Sequence, residues 1–299
     1  MSSIDRYALL PPGKLVRSVM TLLCAEAVGG HRKQALTAAL GLEYLHAATL
    51  VHDDIIDEDL VRRGRPTVPV AFGRADAIVA GDHLIFSAFD ALAESRAAGV
   101  REEHVLSAVL ATARAGADLC RGQVMESTLV GDLRSGVDAY LEMVRLKTGA
   151  LFRAVCHVGA VLGGADRVTA EALAGYGEDL GVAFQIGDDV LAHTADVATT
   201  GKSPDTDLTN GRPTLPVLLA HRQSDPEGRA ELAAALGSPA AADVARVREL
   251  VRRTGAVRLS RETADRYSRL ARGRLTPLEP SAAADTLAAL AGWTVGRRW

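Results

Sequence analysis

Helices and little else are predicted for this chain. Apolar residues recur at helical spacing along most of the 299 residues, Ala, Leu and Arg outweigh β-branched runs, and no stretch alternates apolar with polar as a half-buried strand does. Glycine and proline fall in short clusters that cut the periodic stretches into helix-length pieces.

Taken in order, a first helix is expected over 14–28, between the Pro11-Pro12-Gly13 turn and Gly29-Gly30. A second, over 33–57, ends in acidic residues before Gly64-Arg65-Pro66. Ala98-Gly99 parts helices at 75–97 and 101–127, Gly131-Asp132 closes the latter, and Gly163-Gly164 parts 137–162 from 168–192. A polar loop over 199–205 leads to a helix at 213–222, Pro226-Glu227-Gly228 reads as a turn, and helices at 241–254, 257–274 and 281–297 complete the chain. Several are apolar on more than one face, the pattern of a helix surrounded by helices. No repeat or linker divides the chain, so 1–299 reads as a single all-α domain, a helical bundle with its polar motifs turned to one central cavity.

The apolar fraction of 48% supplies a large core, and a formal charge of −3 argues against nucleic acid or an anionic membrane as partner. Cys24, Cys120 and Cys156 stand on apolar helical faces without metal-ligand spacing and are read as reduced core residues of a cytoplasmic protein. No apolar run has the length of a membrane span, and the opening residues lack a signal-peptide core.

Chemistry enters with two aspartate pairs, Asp53-Asp54 and Asp188-Asp189, each in an otherwise apolar helical stretch. Five of the seven residues from Asp53 to Asp59 are acidic. Asp53 and Asp57 are four apart, so a helix stacks them on one face, near its C-terminus, where the macrodipole already disfavours anions. Such a cluster asks for a bound cation. Oxygen donors without a Cys/His set favour Mg²⁺, which takes one or two carboxylates from a segment and completes its shell with water and phosphate oxygens. Cations that suit phosphate lie close by in sequence: Arg62 and Arg63 follow the acidic turn, and Lys14 and Arg17 are expected on one face of the first helix. The chain has four lysines, Lys14, Lys33, Lys147 and Lys202, and three of them sit beside glycine or in the polar run Lys147-Thr148-Gly149. A compact ammonium kept there in an arginine-rich chain suits a point-charge contact to phosphate.

In their order these residues resemble the trans-isoprenyl diphosphate (polyprenyl) synthase family, from about Gly13 to the C-terminus. The matching segments are Gly13-Lys14-x-x-Arg17, Glu43-Tyr44-Leu45-His46, Asp53-Asp54-x-x-Asp57, Arg62-Arg63-Gly64, Lys147-Thr148-Gly149, Phe184-Gln185-Ile186-Gly187-Asp188-Asp189, Gly201-Lys202, Asp207-Leu208 and Gly211-Arg212-Pro213-Thr214. The resemblance implies the isoprenoid synthase fold, a bundle around an apolar tunnel, with the usual N-terminal helix shortened, and a homodimer. It implies condensation of isopentenyl diphosphate with an allylic diphosphate primer, whose diphosphate leaves with help from three Mg²⁺ ions. Asp53, Asp54, Asp57, Asp188 and Asp189 would be the metal ligands, with Asp53, Asp57, Asp188, Lys147 and Lys202 as catalytic residues. Lys14, Arg17, His46 and Arg63 would hold isopentenyl diphosphate. Arg62, Lys147, Thr148, Gln185, Lys202 and Arg212 complete the substrate-binding set.

The chain also departs from the family pattern. Ala192 stands where the second motif has its third aspartate, which predicts weaker Mg²⁺ affinity with activity retained. Leu15 replaces a common arginine and Arg212 a common lysine. Ala48 and Thr49, one turn before Asp53, are small where short-chain members carry aromatics, so a product of C20 or longer is expected. Cys120, in Cys120-Arg121-Gly122-Gln123, resembles members that stop at C20. Two other readings stay open. A class I terpene cyclase shares the metal-bound diphosphate but needs no isopentenyl site, and its second motif would fall on Asp188, Ala192 and Asp196. A weakly catalytic subunit that tunes a partner synthase would explain Ala192.

Overall fold

The computed structural model of the protein describes residues 3–194, 206–238 and 240–295. The helices are α1 (Ser3–Leu9), α2 (Val16–Ala27), α3 (Arg32–Ile56), α4 (Val68–Phe72), α5 (Arg74–Ala93), α6 (Glu102–Leu129), α7 (Gly136–Val144), α8 (Ala150–Leu162), α9 (Arg167–Thr194), α10 (Thr206–Thr209), α11 (Leu215–Gln223), α12 (Pro226–Ala235), α13 (Ala241–Arg253), α14 (Ala256–Arg274) and α15 (Ala282–Val295). The only strands among the described residues are β1 (Val61–Arg62) and β2 (Arg65–Pro66), an antiparallel pair. The chain is all-α, as its periodicity predicts. Two compact units are distinguishable by backbone proximity: Met1–Arg114 with Ala154–Ala174 and Leu275–Leu287, and Ala115–Arg153 with Gly175–Arg274 and Ala288–Trp299.

The first unit is built on small residues. Ala38, Ala48, Ala77 and Ala88 of α3 and α5 are fully buried, so the two helices approach closely along a shared seam. A Cβ added to Gly41 would lie 2.7 Å from the Ala88 carbonyl oxygen, and one at Gly159 of α8 would lie 2.2 Å from that of Thr21 in α2. The same α2–α8 contact brings Cys24 and Cys156, far apart in sequence, into a buried thiol–thiol hydrogen bond that raises the Cys156 pKa after burial has done so. Cys120 departs from the expected core position and is exposed.

The second unit has an aliphatic core in which Ile186 of α9, Leu215 and Val217 of α11, Val247 and Leu250 of α13 and Leu232 of α12 are all fully buried.

Boundaries differ from expectation where local chemistry outweighs period. Pro226-Glu227-Gly228, expected as a turn, opens α12: Asp225 is its N-cap, accepting from the Gly228 amide at 2.8 Å, and Pro226 occupies the first turn, where its missing amide costs nothing. The expected helix over 137–162 is α7 and α8 joined by one π turn, Arg145–Gly149. The short helices α1, α4 and α10 and the hairpin were not expected. Among the described residues no helix is long and apolar enough to cross a membrane.

Candidate active site

In the first unit the site grows from the end of α3. The Asp57 amide donates to the Asp53 carbonyl at 2.8 Å, so helical geometry reaches Asp57 and sets it one turn beyond Asp53 on the same face, both half-buried. Asp54 turns inward and is 3% exposed. It accepts Arg62 Nε at 2.6 Å, while Arg62 Nη2 reaches Asp59 Oδ2 at 3.3 Å.

The hairpin decides why Arg62 and Arg63, adjacent in sequence, do different things. Arg62 lies in the β1–β2 ladder. Arg63 (φ 53°) and Gly64 (φ 75°) form its two-residue turn, both at the positive φ that a mirror-image type I turn requires. Arg63 leaves the ladder and lies over Gly13, where an added Cβ would sit 2.6 Å from its Nη2. Glycine at 13 is therefore the seat of the Arg63 guanidinium. Arg65 anchors the hairpin to the N-terminal segment, donating to the Leu10 carbonyl at 2.6 Å and to that of Tyr7, with its guanidinium 4.2 Å from the Tyr7 ring centre. Sequence reasoning passed over Arg65, because two-residue strands are too short to show an alternating pattern.

Lys14 and Arg17 do not share a helical face. Leu15, at φ 51°, caps α2, so Lys14 precedes the helix and is exposed, while Arg17 belongs to its first turn. Arg17 Nη1 lies 3.1 Å from His46 Nε2. Guanidinium can only donate, so Nε2 accepts and the imidazole proton resides on Nδ1. Burial, then Arg17, Arg63 and Arg62, hold His46 well below the usual histidine range, which keeps it neutral. Glu43 accepts the Ser18 amide at 3.1 Å, fixing α2 against α3. Ala48 is fully buried, and Thr49, half-buried, donates to the His46 carbonyl at 2.8 Å.

In the second unit a cavity of about 130 Å³ is lined by Glu126, Tyr140, Lys147, Gln185, Asp189 and Arg212, with Thr148 beside them. The π turn widens the helix at Lys147, a feature often found where a side chain must be aimed at a ligand. Gly122 of α6 allows the approach, since a Cβ there would lie 2.5 Å from the Lys147 amide nitrogen. Lys147 Nζ pairs with Glu126 at 2.5 Å, and Arg212 lies 3.7 Å from the same Glu126 oxygen and 3.1 Å from Asp207. One carboxylate thus serves two cations.

Thr148 Oγ1 donates to Gln185 Oε1 at 2.9 Å, Gln185 Nε2 to Asp189 Oδ1 at 3.0 Å, and the Tyr140 hydroxyl to Asp189 Oδ2 at 2.5 Å. Burial pushes the Asp189 pKa up to about 7, against the two hydrogen bonds, with Asp207 and Asp188 adding to the rise. Burial and Asp189 in turn push the Tyr140 phenol well up. Asp188 is half-buried, and the Ala192 carbonyl accepts from Arg248 at 3.3 Å. Lys202 and Asp196 lie outside the described residues. Glu126 and Tyr140 were not singled out in the sequence. Each sits in an apolar helical stretch, and nothing local marks an acid that bridges cations from elsewhere in the chain.

Among the described residues no three His, Cys, Asp or Glu side chains meet as a ready-made metal cage. The donors fit an oxygen-seeking ion all the same: Asp53 and Asp57 stack on one helical face, and the guanidinium already on Asp54 shows that these carboxylates draw positive charge.

Comparison with known proteins follows the same lines. Residues 1–254 match the family described as Polyprenyl synthetase. The chain is 35% identical over 293 residues to the short chain isoprenyl diphosphate synthase of Methanothermobacter thermautotrophicus, covering 98% of this chain and 89% of that one. It is 37% identical to the geranylgeranyl pyrophosphate synthase of Geoglobus acetivorans, with the same coverage. A polyprenyl synthase from Caulobacter crescentus, solved with calcium and isoprenyl diphosphate, superposes with a TM-score of 0.92 at 31% identity, over 99% of this chain and 89% of that one. With the family matched over residues 1–254 and the fold shared, the chain belongs to the polyprenyl synthetase family and has its all-α isoprenoid synthase fold.

Proposed function

We propose that the protein is a prenyltransferase that condenses isopentenyl diphosphate with an allylic diphosphate and makes an all-trans product of C20 or longer. The observation that carries this reading is the group formed by Arg17, the neutral His46 and Arg63 seated on Gly13. It is a cationic site with an Nδ1–H donor, suited to a second diphosphate, which a terpene cyclase does not need. Lys14 would join it in holding isopentenyl diphosphate. Lys147, Thr148, Gln185 and Arg212, with Arg62 and Lys202, would hold the allylic diphosphate. Asp53, Asp54, Asp57, Asp188 and Asp189 would carry three Mg²⁺ ions, Asp54 after releasing Arg62. Bound Mg²⁺ supplies charge that makes the diphosphate a better leaving group. The rest falls to the chain: Lys147 and Arg212 have Glu126 as a resting counterion, so an arriving diphosphate replaces a contact already made.

Ile78, Val79 and Phe86 of α5 and Leu106 and Leu110 of α6 are exposed, Phe86 at 72%, and they support a homodimer. Purified protein with Mg²⁺, labelled isopentenyl diphosphate and C5, C10, C15 or C20 primers should give a ladder ending at C20 or beyond. Hydrocarbon formed without isopentenyl uptake would move the assignment to a cyclase, and turnover only with a second subunit would make the chain a regulatory partner.

A further inference from the structure

His52 stands directly before Asp53, and the proposed reaction gives it no role. It lies one helical turn beyond the fully buried Ala48, on the side of α3 that meets α5. Farther back the two helices touch through small residues, as where Gly41 meets the Ala88 carbonyl. At the acidic end an imidazole fills the gap. Its seat is Gly81 of α5, a buried residue, where an added Cβ would lie 2.6 Å from the His52 Cδ2 and nearer still to Nε2. The same Nε2 is 3.4 Å from the Ile78 carbonyl oxygen and 3.6 Å from Asp82 Oδ1. A carbonyl oxygen only accepts, so Nε2 donates. A second tie at this end runs from Arg74 to the Ile55 carbonyl at 3.2 Å, but that side chain is 65% exposed against 29% for His52. The seated ring is the more sheltered hold on the last turn of α3.

That turn needs holding. Asp53 and Asp57 stack their charges on one face, at a helix end where the macrodipole adds to the repulsion. Mg²⁺ tolerates little tilt there, since its octahedron asks for oxygens at about 2.1 Å. We propose that His52 is a positioning residue for the metal-binding carboxylates: from its seat on Gly81 it sets the direction in which Asp53 and Asp57 leave α3. The inference deepens the proposed function and rests on its reading that these aspartates hold Mg²⁺.

The test is Mn²⁺ binding to the full chain with inorganic diphosphate present, followed at one pH by electron paramagnetic resonance, with urea midpoints measured alongside. His52→Leu fits the space and removes the donor, while His52→Gln returns an N–H at similar reach. Mn²⁺ affinity should fall about tenfold in His52→Leu, the worth of one hydrogen bond, and stay close to wild type in His52→Gln. Gly81→Ala gives a second test that does not depend on how His52→Leu folds. Its methyl group should unseat the ring and weaken Mn²⁺ binding in the wild-type background, yet cost nothing further when combined with His52→Ala. Wild-type affinity in His52→Leu would overturn the proposal. An equal loss in the Leu and Gln variants, or an equal effect of Gly81→Ala in both backgrounds, would reduce the ring to packing and overturn it as well. Mn²⁺ binding needs no turnover, so a chain that shows the expected pattern and elongates no primer would overturn the prenyltransferase reading alone. A wild type that binds no Mn²⁺ would overturn both.

Discussion

Asp189 accepts hydrogen bonds at both oxygens, yet burial lifts its pKa to about 7. Between the unfolded value near 4 and that figure the native state binds a proton that the unfolded chain has lost. This contribution to stability is fully present below about pH 4 and disappears as pH rises through 7, a change on the order of a few kcal/mol. His193, pushed down to about 4 by burial and by Arg248, works in the opposite sense, since its contribution is complete above the unfolded histidine pKa and is lost as pH falls towards 4. The two trends overlap in wild type, so the informative measurement is a difference. In metal-free protein Asp189→Asn should remove the loss of urea stability between pH 4 and pH 7, and a variant whose pH profile parallels wild type would contradict the assignment. At this scale the sequence was most legible where a placement follows from spacing, as with Asp53 and Asp57 on one helical face. It was least legible where a role follows from a partner far along the chain, as with Glu126 between Lys147 and Arg212.

Elements were legible where period and caps agree. The helix expected over 33–57 is α3 at Arg32–Ile56, ending in the acidic turn that drew attention to it. The hairpin was hidden because its information lies in two positive φ angles, and α12 because a proline–glycine pair was read as a break although Asp225 stood ready to cap a helix. The α2–α8 contact gives a stability test. Gly159→Ala would set a methyl group 2.2 Å from the Thr21 carbonyl oxygen, and neither helix backbone can move without its neighbours. A loss of about 1–3 kcal/mol is expected. It should appear as a lowered urea midpoint at unchanged m-value, and a midpoint equal to wild type would show that the helices can separate freely.

For the whole molecule, the order of motifs along 299 residues made the family legible before any coordinates, whereas product length depends on volume that sequence order does not supply. Ala48 is fully buried, so Ala48→Phe must either fill space meant for the growing chain or strain the helix contacts around it. The expected outcome is a product shorter than wild type from a variant that still unfolds cooperatively. An unchanged product distribution from such a folded variant would remove Ala48 from the determinants of length. The π turn at Arg145–Gly149 bears on how such chains can diverge. It holds one residue more than a regular helical turn, so deleting one residue there would restore an unbroken helix with the faces on either side still in register. Leu151 and Phe152, both buried, would keep their angle to Tyr140 and Val144, and what would be lost is the widened turn that carries Lys147. A relative one residue shorter here would keep its helix packing and lose the wide turn, so an alignment gap placed inside the segment would signal an evolutionary event before it signalled a misalignment.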